Sequence, residues 1–245
     1  MAKTGGNRVD GRRANELRPV NIIPDFVGTA DGSCLIEVGG TRVICTASIT
    51  PGVPTWREAS GLGWVTAEYG MLPASTGRRK KRPLGKPDSR GVEIQRLIGR
   101  VLRGVVRFNQ IADMTISLDC DVLEADGGTR TAAITGAYVA LARAVNVGRS
   151  DGRFSGTVLS GQVAAVSVGM VDGRAVLDLC YAEDSAAEVD MNLAMTASGK
   201  FVDIQGTSEG APFSGDDLQT MLRLGRRGIR ELLAAQKKII AKGRS

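Results

Sequence analysis

No histidine occurs in the 245 residues. That absence excludes Ser-His-Asp and Cys-His nucleophilic machinery, and with it paired-imidazole acid–base catalysis. It leaves only scattered thiols for zinc. The four cysteines, Cys34, Cys45, Cys120 and Cys180, form no Cys-x-x-Cys pair and sit in apolar, strand-like runs. They read as buried thiols of a reducing cytoplasm rather than as disulfides. No run of eighteen apolar residues is present to span a membrane, and "MAKTGGNRVDGRRANELRP" lacks the apolar core of a secretory signal. Any chemistry here therefore falls to carboxylates, metal ions and cationic side chains.

What is present is a 42% hydrophobic chain with a net charge of +6. That suffices for one globular domain over 1–245, built whole or from two fused halves. Seven basic residues crowd between Arg78 and Arg90 in "RRKKRPLGKPDSR". The excess favours an anionic partner. With its Gly and Pro and no apolar period, the segment 74–90 reads as a mobile basic loop.

Apolar runs meeting at Gly39-Gly40, and again at Asp172-Gly173, predict two hairpins. Their shared V-x-G-x-x-V turns point to two similar halves. "GWVTAEYGMLP" reads as a further strand. From near Gly91, Ile94, Leu97, Ile98, Val101, Leu102, Val105 and Val106 follow a helical period, with Arg96, Arg100, Arg103 and Arg107 on the opposite face. "MTISLDCDVL" alternates as a strand, with Met114, Ile116, Leu118, Cys120 and Val122 on one side. A long amphipathic helix over about 215–241 closes the chain, capped by Ser214 and Asp217. Hairpins, helix, strand, helix, hairpins, helix is an α+β order with mixed sheets.

Two places carry chemistry. In "LEADGGTRTAAITGA", Gly127-Gly128 separate a strand from a helix that opens at about Thr129. Such a turn aims free N–H groups and a helix dipole at one point, where Thr129 and the forked cation of Arg130 would complete an anion site. The alternative is an ordinary strand-to-helix turn. It is not a P-loop, and neither is "GRRKKRPLGKP", where Pro87 stands in place of the needed hydroxyl. In "LDLCYAEDSAAEVDMN", Asp178, Asp184 and Asp190 recur six residues apart, with Asn192 on the strand face of Asp190. Converging carboxylates suit Mg²⁺ or Mn²⁺; the alternative is solvated turn acids. The Arg96–Arg107 stripe could track a phosphate backbone, face a partner subunit, or be a solvated face.

Taken in order, "DGR", "ELRP", "GWVTAEYGMLP", "EIQRLIGR", "DCDVLEADGGTRTAAITGA", "AAVSVG", "LDLCYAEDSAAEVDMN" and "QGTSEGAPF" resemble the ribonuclease PH family of phosphorolytic 3′-exoribonucleases over roughly residues 8–240. The resemblance implies that inorganic phosphate reversibly attacks the last phosphodiester of RNA, releasing nucleoside 5′-diphosphates. It implies phosphate binding by Arg90, Gly128, Thr129 and Arg130, and catalysis by Asp178, Asp184 and Asp190. Asp178 and Asp184 would hold Mg²⁺ or Mn²⁺. It further implies duplicated βαβα-like units and a homohexameric ring of three dimers. tRNA precursors, and rRNA among other RNAs, would be substrates in the cytoplasm. Arg79, Arg96 and Arg100 would be divided between RNA and subunit contacts. A catalytically silent RNA-binding ring subunit is the other reading that the resemblance admits. The chain departs from the family pattern at Ala74 and Gly77, where arginine and a nearby histidine are usual, and at Gly91, where threonine is usual.

Overall fold

In chain order the elements are β1 (Val20–Pro24), β2 (Gly32–Val38), β3 (Thr41–Pro51), α1 (Thr55–Glu58), β4 (Trp64–Met71) and α2 (Ser89–Arg103). There follow β5 (Met114–Glu124), α3 (Thr129–Ser150), β6 (Val163–Val171), β7 (Arg174–Leu177), α4 (Tyr181–Asp184), β8 (Val189–Thr196), β9 (Phe201–Ser208) and α5 (Gly215–Ile240). The computed structural model describes residues 8–82 and 88–241. Of the expected basic loop, 83–87 lie outside the described residues.

The strands form two sheets, ordered β1-β2-β3-β5-β4 and β7-β6-β8-β9. Both predicted hairpins form, at Gly39-Gly40 and at Asp172-Gly173. The first sheet is mixed: β4 runs parallel to β5, and α2 makes the crossover that a parallel pair requires. The second is antiparallel throughout. This is the α+β architecture expected. On β5 the alternation puts Ile116, Leu118, Cys120 and Val122 into the core.

α3 holds the halves together. It is buried on nearly every side from Thr131 to Val145, as expected for a helix of Ala, Val, Gly and Thr with no polar face. One side packs on β2, β3 and β5, and the other on β6. Thr135 ties it to β6: its hydroxyl donates to the Ala165 carbonyl at 3.2 Å and accepts from the Ala165 N–H at 3.1 Å. α5 closes the second sheet with Met221, Ile229, Leu232 and Leu233. The N-terminus of α3 thus emerges between the sheets, facing the start of β8.

α2 is shorter than its apolar period suggests. The Asp88 carboxylate caps its start, accepting from the Arg90 N–H at 3.3 Å, and Gly104 ends it. Arg107 therefore lies beyond the helix. Arg103 folds over the Trp64 ring at 4.7 Å and donates to the Val65 carbonyl, so it leaves the stripe as well. Only Arg96 and Arg100 stand on the exposed face, and Arg100 approaches Asp203 at 3.6 Å.

Candidate active site

The strand-to-helix turn after β5 requires backbone that side chains disfavour. Gly127 and Gly128 have φ of +73° and +64°, left-handed values natural to glycine. A Cβ on Gly127 would also lie 2.7–2.8 Å from the backbone of Leu179, Cys180 and Tyr181. The turn therefore abuts the loop that carries α4, and glycine permits that approach. From Gly128 onward the N–H groups of the first turn of α3 lack intrahelical partners and point outward.

They open into a cavity of about 770 Å³. Arg78, Arg79, Lys80, Arg90 and Arg130 line it, against two carboxylates, Asp184 and Asp190. Arg90 comes from the first turn of α2 and Arg130 from α3. The Arg130 guanidinium is braced by the Gln205 side-chain oxygen at 3.2 Å and by Glu93 at 3.3 Å. Tyr69 donates to the Thr129 hydroxyl at 2.9 Å, and burial pushes its phenol above the ordinary range. The strong positive field around a glycine turn and helix N-terminus fits a multiply charged oxyanion.

The acids occupy the other wall. Asp184 ends α4. Burial raises its pKa, against the pull of Arg90, Arg130 and Arg18. Asp190 lies near the start of β8, with Asn192 two residues on and Ser167 opposite Asn192 on β6. Burial and then the Asp184 charge push Asp190 up to about 6, against Arg130, the Asn192 amide and Arg90. Its Oδ1 is buried without a hydrogen-bond partner, and Asn192 donates to Oδ2 at 3.4 Å.

The folded value of about 6 exceeds the unfolded 3.8, so the folded state binds more protons than the unfolded one in between. Stability falls as pH rises through that window, and the loss is complete above it. Asp190→Asn is therefore expected to raise the melting temperature of the ligand-free protein by several degrees at pH 7.5, and by much less at pH 4. Melting in EDTA across pH 4–8 measures this; a parallel offset at every pH would remove the titration from the account.

Asp178 stands apart from this pair and does not line the cavity. It lies past the end of β7 at φ +56°, a left-handed conformation that aspartate tolerates better than most residues, and is 2% exposed. The Arg18 backbone N–H and Nε donate to Oδ2 at 2.8 and 3.0 Å, and Arg18 Nη2 donates to Oδ1 at 2.7 Å. Arg12 adds a contact to Oδ2 at 3.3 Å. Both oxygens accept from buried guanidiniums, and the carboxylates that face the cavity are Asp184 and Asp190. Among the described residues, no group of three His, Cys, Asp or Glu is arranged to hold a metal.

The arginines around Asp178 carry no role in the sequence reading, although "DGR" and "ELRP" contain Arg12 and Arg18. Arg8 donates from Nε to Glu183 at 2.7 Å and from Nη1 to the Leu177 carbonyl at 2.6 Å. Glu183 accepts the Cys180 N–H at the start of α4. Arg18 also donates to the Asp126 carbonyl. Leu17 and Pro19 beside Arg18 were the available signal, since a cation between them at a strand entrance must be buried with a partner. Ser167 and Tyr181 are cavity residues that spacing did not single out, and Tyr69 reaches the cavity's edge only through its bond to Thr129. Arg79 lines the cavity; Arg96 and Arg100 do not.

The chain is similar to known proteins over nearly its whole length. Models of the 3′ exoribonuclease family match residues 16–145 (domain 1) and 161–228 (domain 2). Ribonuclease PH of Bifidobacterium longum (strain NCC 2705) is 55% identical over 234 residues, 94% of each chain. Rice (Oryza sativa) Rrp46 superposes with a TM-score of 0.78 at 19% identity, covering 95% of this chain and all of the other. A chain of the Archaeoglobus fulgidus exosome with RNA bound to the active site gives 0.79 at 22% identity, over 95% and 92%. With both domain models matched and more than half of the residues shared with a curated relative, the chain belongs to the 3′ exoribonuclease family and is a phosphorolytic 3′→5′ exoribonuclease.

Proposed function

We propose that this exoribonuclease trims the 3′ ends of tRNA precursors and other RNAs, rRNA included, in the cavity between the α3 N-terminus and Asp184/Asp190. One observation carries the reading: five basic side chains and a glycine turn face two half-buried acids, Asp184 and Asp190, across one opening. Inorganic phosphate would sit on Gly128, Thr129, Arg130 and Arg90. An oxygen of that phosphate attacks the last phosphodiester, the bond to the 3′-oxygen breaks, and the freed hydroxyl takes up a proton. A nucleoside 5′-diphosphate leaves. Because an anhydride replaces a diester, the reaction runs in both directions.

Attack of one anion on another requires neutralisation, which Arg90, Arg130 and the helix N-terminus supply from fixed positions. A buried carboxylate oxygen without a partner beside a second acid is a hard-donor set that fits Mg²⁺ or Mn²⁺, and Asp184 with Asp190 would hold it. When bound, such an ion supplies Lewis-acid stabilisation of the scissile phosphate. The chain's own residues orient the phosphates and balance their charge. No imidazole is needed, since phosphate is already a nucleophilic anion at neutral pH.

Arg79, Arg78 and Lys80 at the cavity rim would guide the RNA strand. Arg96 and Arg100 would face RNA or a neighbouring subunit, in a homohexameric ring of three dimers. Residence in the cytoplasm is part of the same reading, in keeping with four cysteines that form no Cys-x-x-Cys pair. Among the described residues no helix is long and apolar enough to cross a membrane.

Product analysis tests the reading. A 3′-extended tRNA with Mg²⁺ is expected to yield diphosphates only when inorganic phosphate is added; monophosphates without phosphate would mean hydrolysis, and no product would favour a silent subunit. Arg130→Ala is expected to lower the rate by ~10²–10³, the usual cost of removing a donor from the reacting charge. A near-normal rate would take Arg130 out of the site.

A further inference from the structure

A second concave site lies away from the cavity. The β8–β9 turn (Met195, Thr196, Ala197, Gly199) and one face of α5 enclose a groove of about 420 Å³. Arg223, Arg226 and Arg230 line it at helical positions i, i+3 and i+7, and span roughly 10 Å of helix. Among the described residues no carboxylate lines the groove. Among the described residues, none of these three arginines has an ion-pair partner, whereas Arg227 on the neighbouring face is paired with Glu231 at 3.2 Å. Two of the three are held in place by other means. The Arg226 guanidinium stacks over the Phe201 ring at 4.8 Å, and Arg223 donates to the Thr220 hydroxyl at 2.8 Å. Lys200, exposed on the adjoining turn, adds to the same charge.

Three like charges on one helix face repel each other, and among the described residues no acid pairs with them. A linear anion would. We infer that this groove is a second RNA site, taking the phosphate backbone of a segment upstream of the 3′ end. The placement supports a tracking role. Asp190 and Thr196 are six residues apart on β8, so the groove lies about 20 Å along that strand from the catalytic acids. The ring available for stacking, Phe201, is already covered by Arg226, so the groove binds backbone rather than bases. Guanidiniums suit phosphate oxygens through paired N–H donors. The site rests on the proposed RNA-trimming reading but acts only on long substrates.

The test uses the double variant Arg223→Ser/Arg230→Ser, which leaves the Arg226–Phe201 stack intact. Binding of a single-stranded 20-nucleotide RNA is followed by fluorescence anisotropy at several salt concentrations, without phosphate or divalent ion. The expected result is at least tenfold weaker binding, with the slope of log K against log salt reduced by about 1–1.5, the share of two phosphate contacts. Binding of a trinucleotide, and its turnover with phosphate, should match the parent. Unchanged long-RNA affinity and slope would overturn the inference. So would a lower assembly mass by light scattering, which would assign the groove to a second copy of the chain. If the parent shows no phosphate-dependent turnover, the trimming reading fails while the binding comparison still decides the groove.

Discussion

Asp184→Asn is expected to cut phosphorolysis by roughly 10³ or more, several kcal/mol of transition-state stabilisation, while RNA binding stays at the parental level or tightens. The two halves of that expectation have one cause. Asp184 contributes negative charge to a cavity whose other charged lining, Asp190 apart, is cationic. Removing it makes the cavity more attractive to RNA and to phosphate. It also removes half of the carboxylate pair that would hold the divalent ion. A misfolded variant would lose binding along with rate. A variant that kept Mg²⁺-dependent turnover would remove the metal role. A companion change is expected at Asp190, which is raised first by burial and next by the Asp184 charge. Without that neighbour its pKa falls toward the ordinary carboxylate range, readable by carbon-13 NMR of the carboxyl group. Rate and affinity measured together, with that titration, separate a chemical role from a structural one.

Local features were the most legible part of the sequence. The Gly39-Gly40 and Asp172-Gly173 turns, the alternation of β5, the start of α3 at Thr129 and the Ser214–Asp217 cap of α5 all depend on neighbours within a few residues. The structure forms each of them. The glycine turn and its arginine were visible for the same reason. Partnership across the chain was not. Asp178 and Asp184 both stand in one short acidic stretch, and nothing in that stretch says that Asp178 faces inward. The deciding partner, Arg18, is 160 residues away in sequence. Likewise the end of α2 at Gly104 overrides an apolar period that continues through Val106, because Val105 and Val106 are buried outside the helix. The joining of Asp190 to the α3 turn depends on α3 lying between two sheets, a tertiary fact that no local period contains.

Asp178→Asn is expected to destabilise the protein by about 3–5 kcal/mol, the cost of leaving a buried cation without its partner. Arg18 is 4% exposed and Arg12 8%, so neither can turn to water when the carboxylate is neutralised. For a chain of this size the loss corresponds to roughly 10 °C or more in melting temperature. It should appear equally in EDTA and in Mg²⁺, which a metal ligand would not allow. Activity is expected to fall too, by a different route from Asp184→Asn. Arg18 grips Asp178 with one side of its guanidinium and the Asp126 carbonyl with the other, so a single side chain fixes both the acid loop and the glycine turn before α3. Loosening that grip misplaces Asp184 and Gly128 relative to each other. Both the apparent affinity for phosphate and the turnover number should suffer, whereas a lost metal ligand would spare the first. Removing both charges while keeping a residue that tolerates the left-handed backbone, Arg18→Met with Asp178→Asn, provides the control. With the Arg18–Asp178 pair gone and Arg12 still held by Asp10 and Glu183, the double variant should recover part of the stability lost by the single one, but not the rate. Recovery of neither would mean that shape rather than charge sets this junction. Full recovery of rate would remove Arg18 from the positioning of the site.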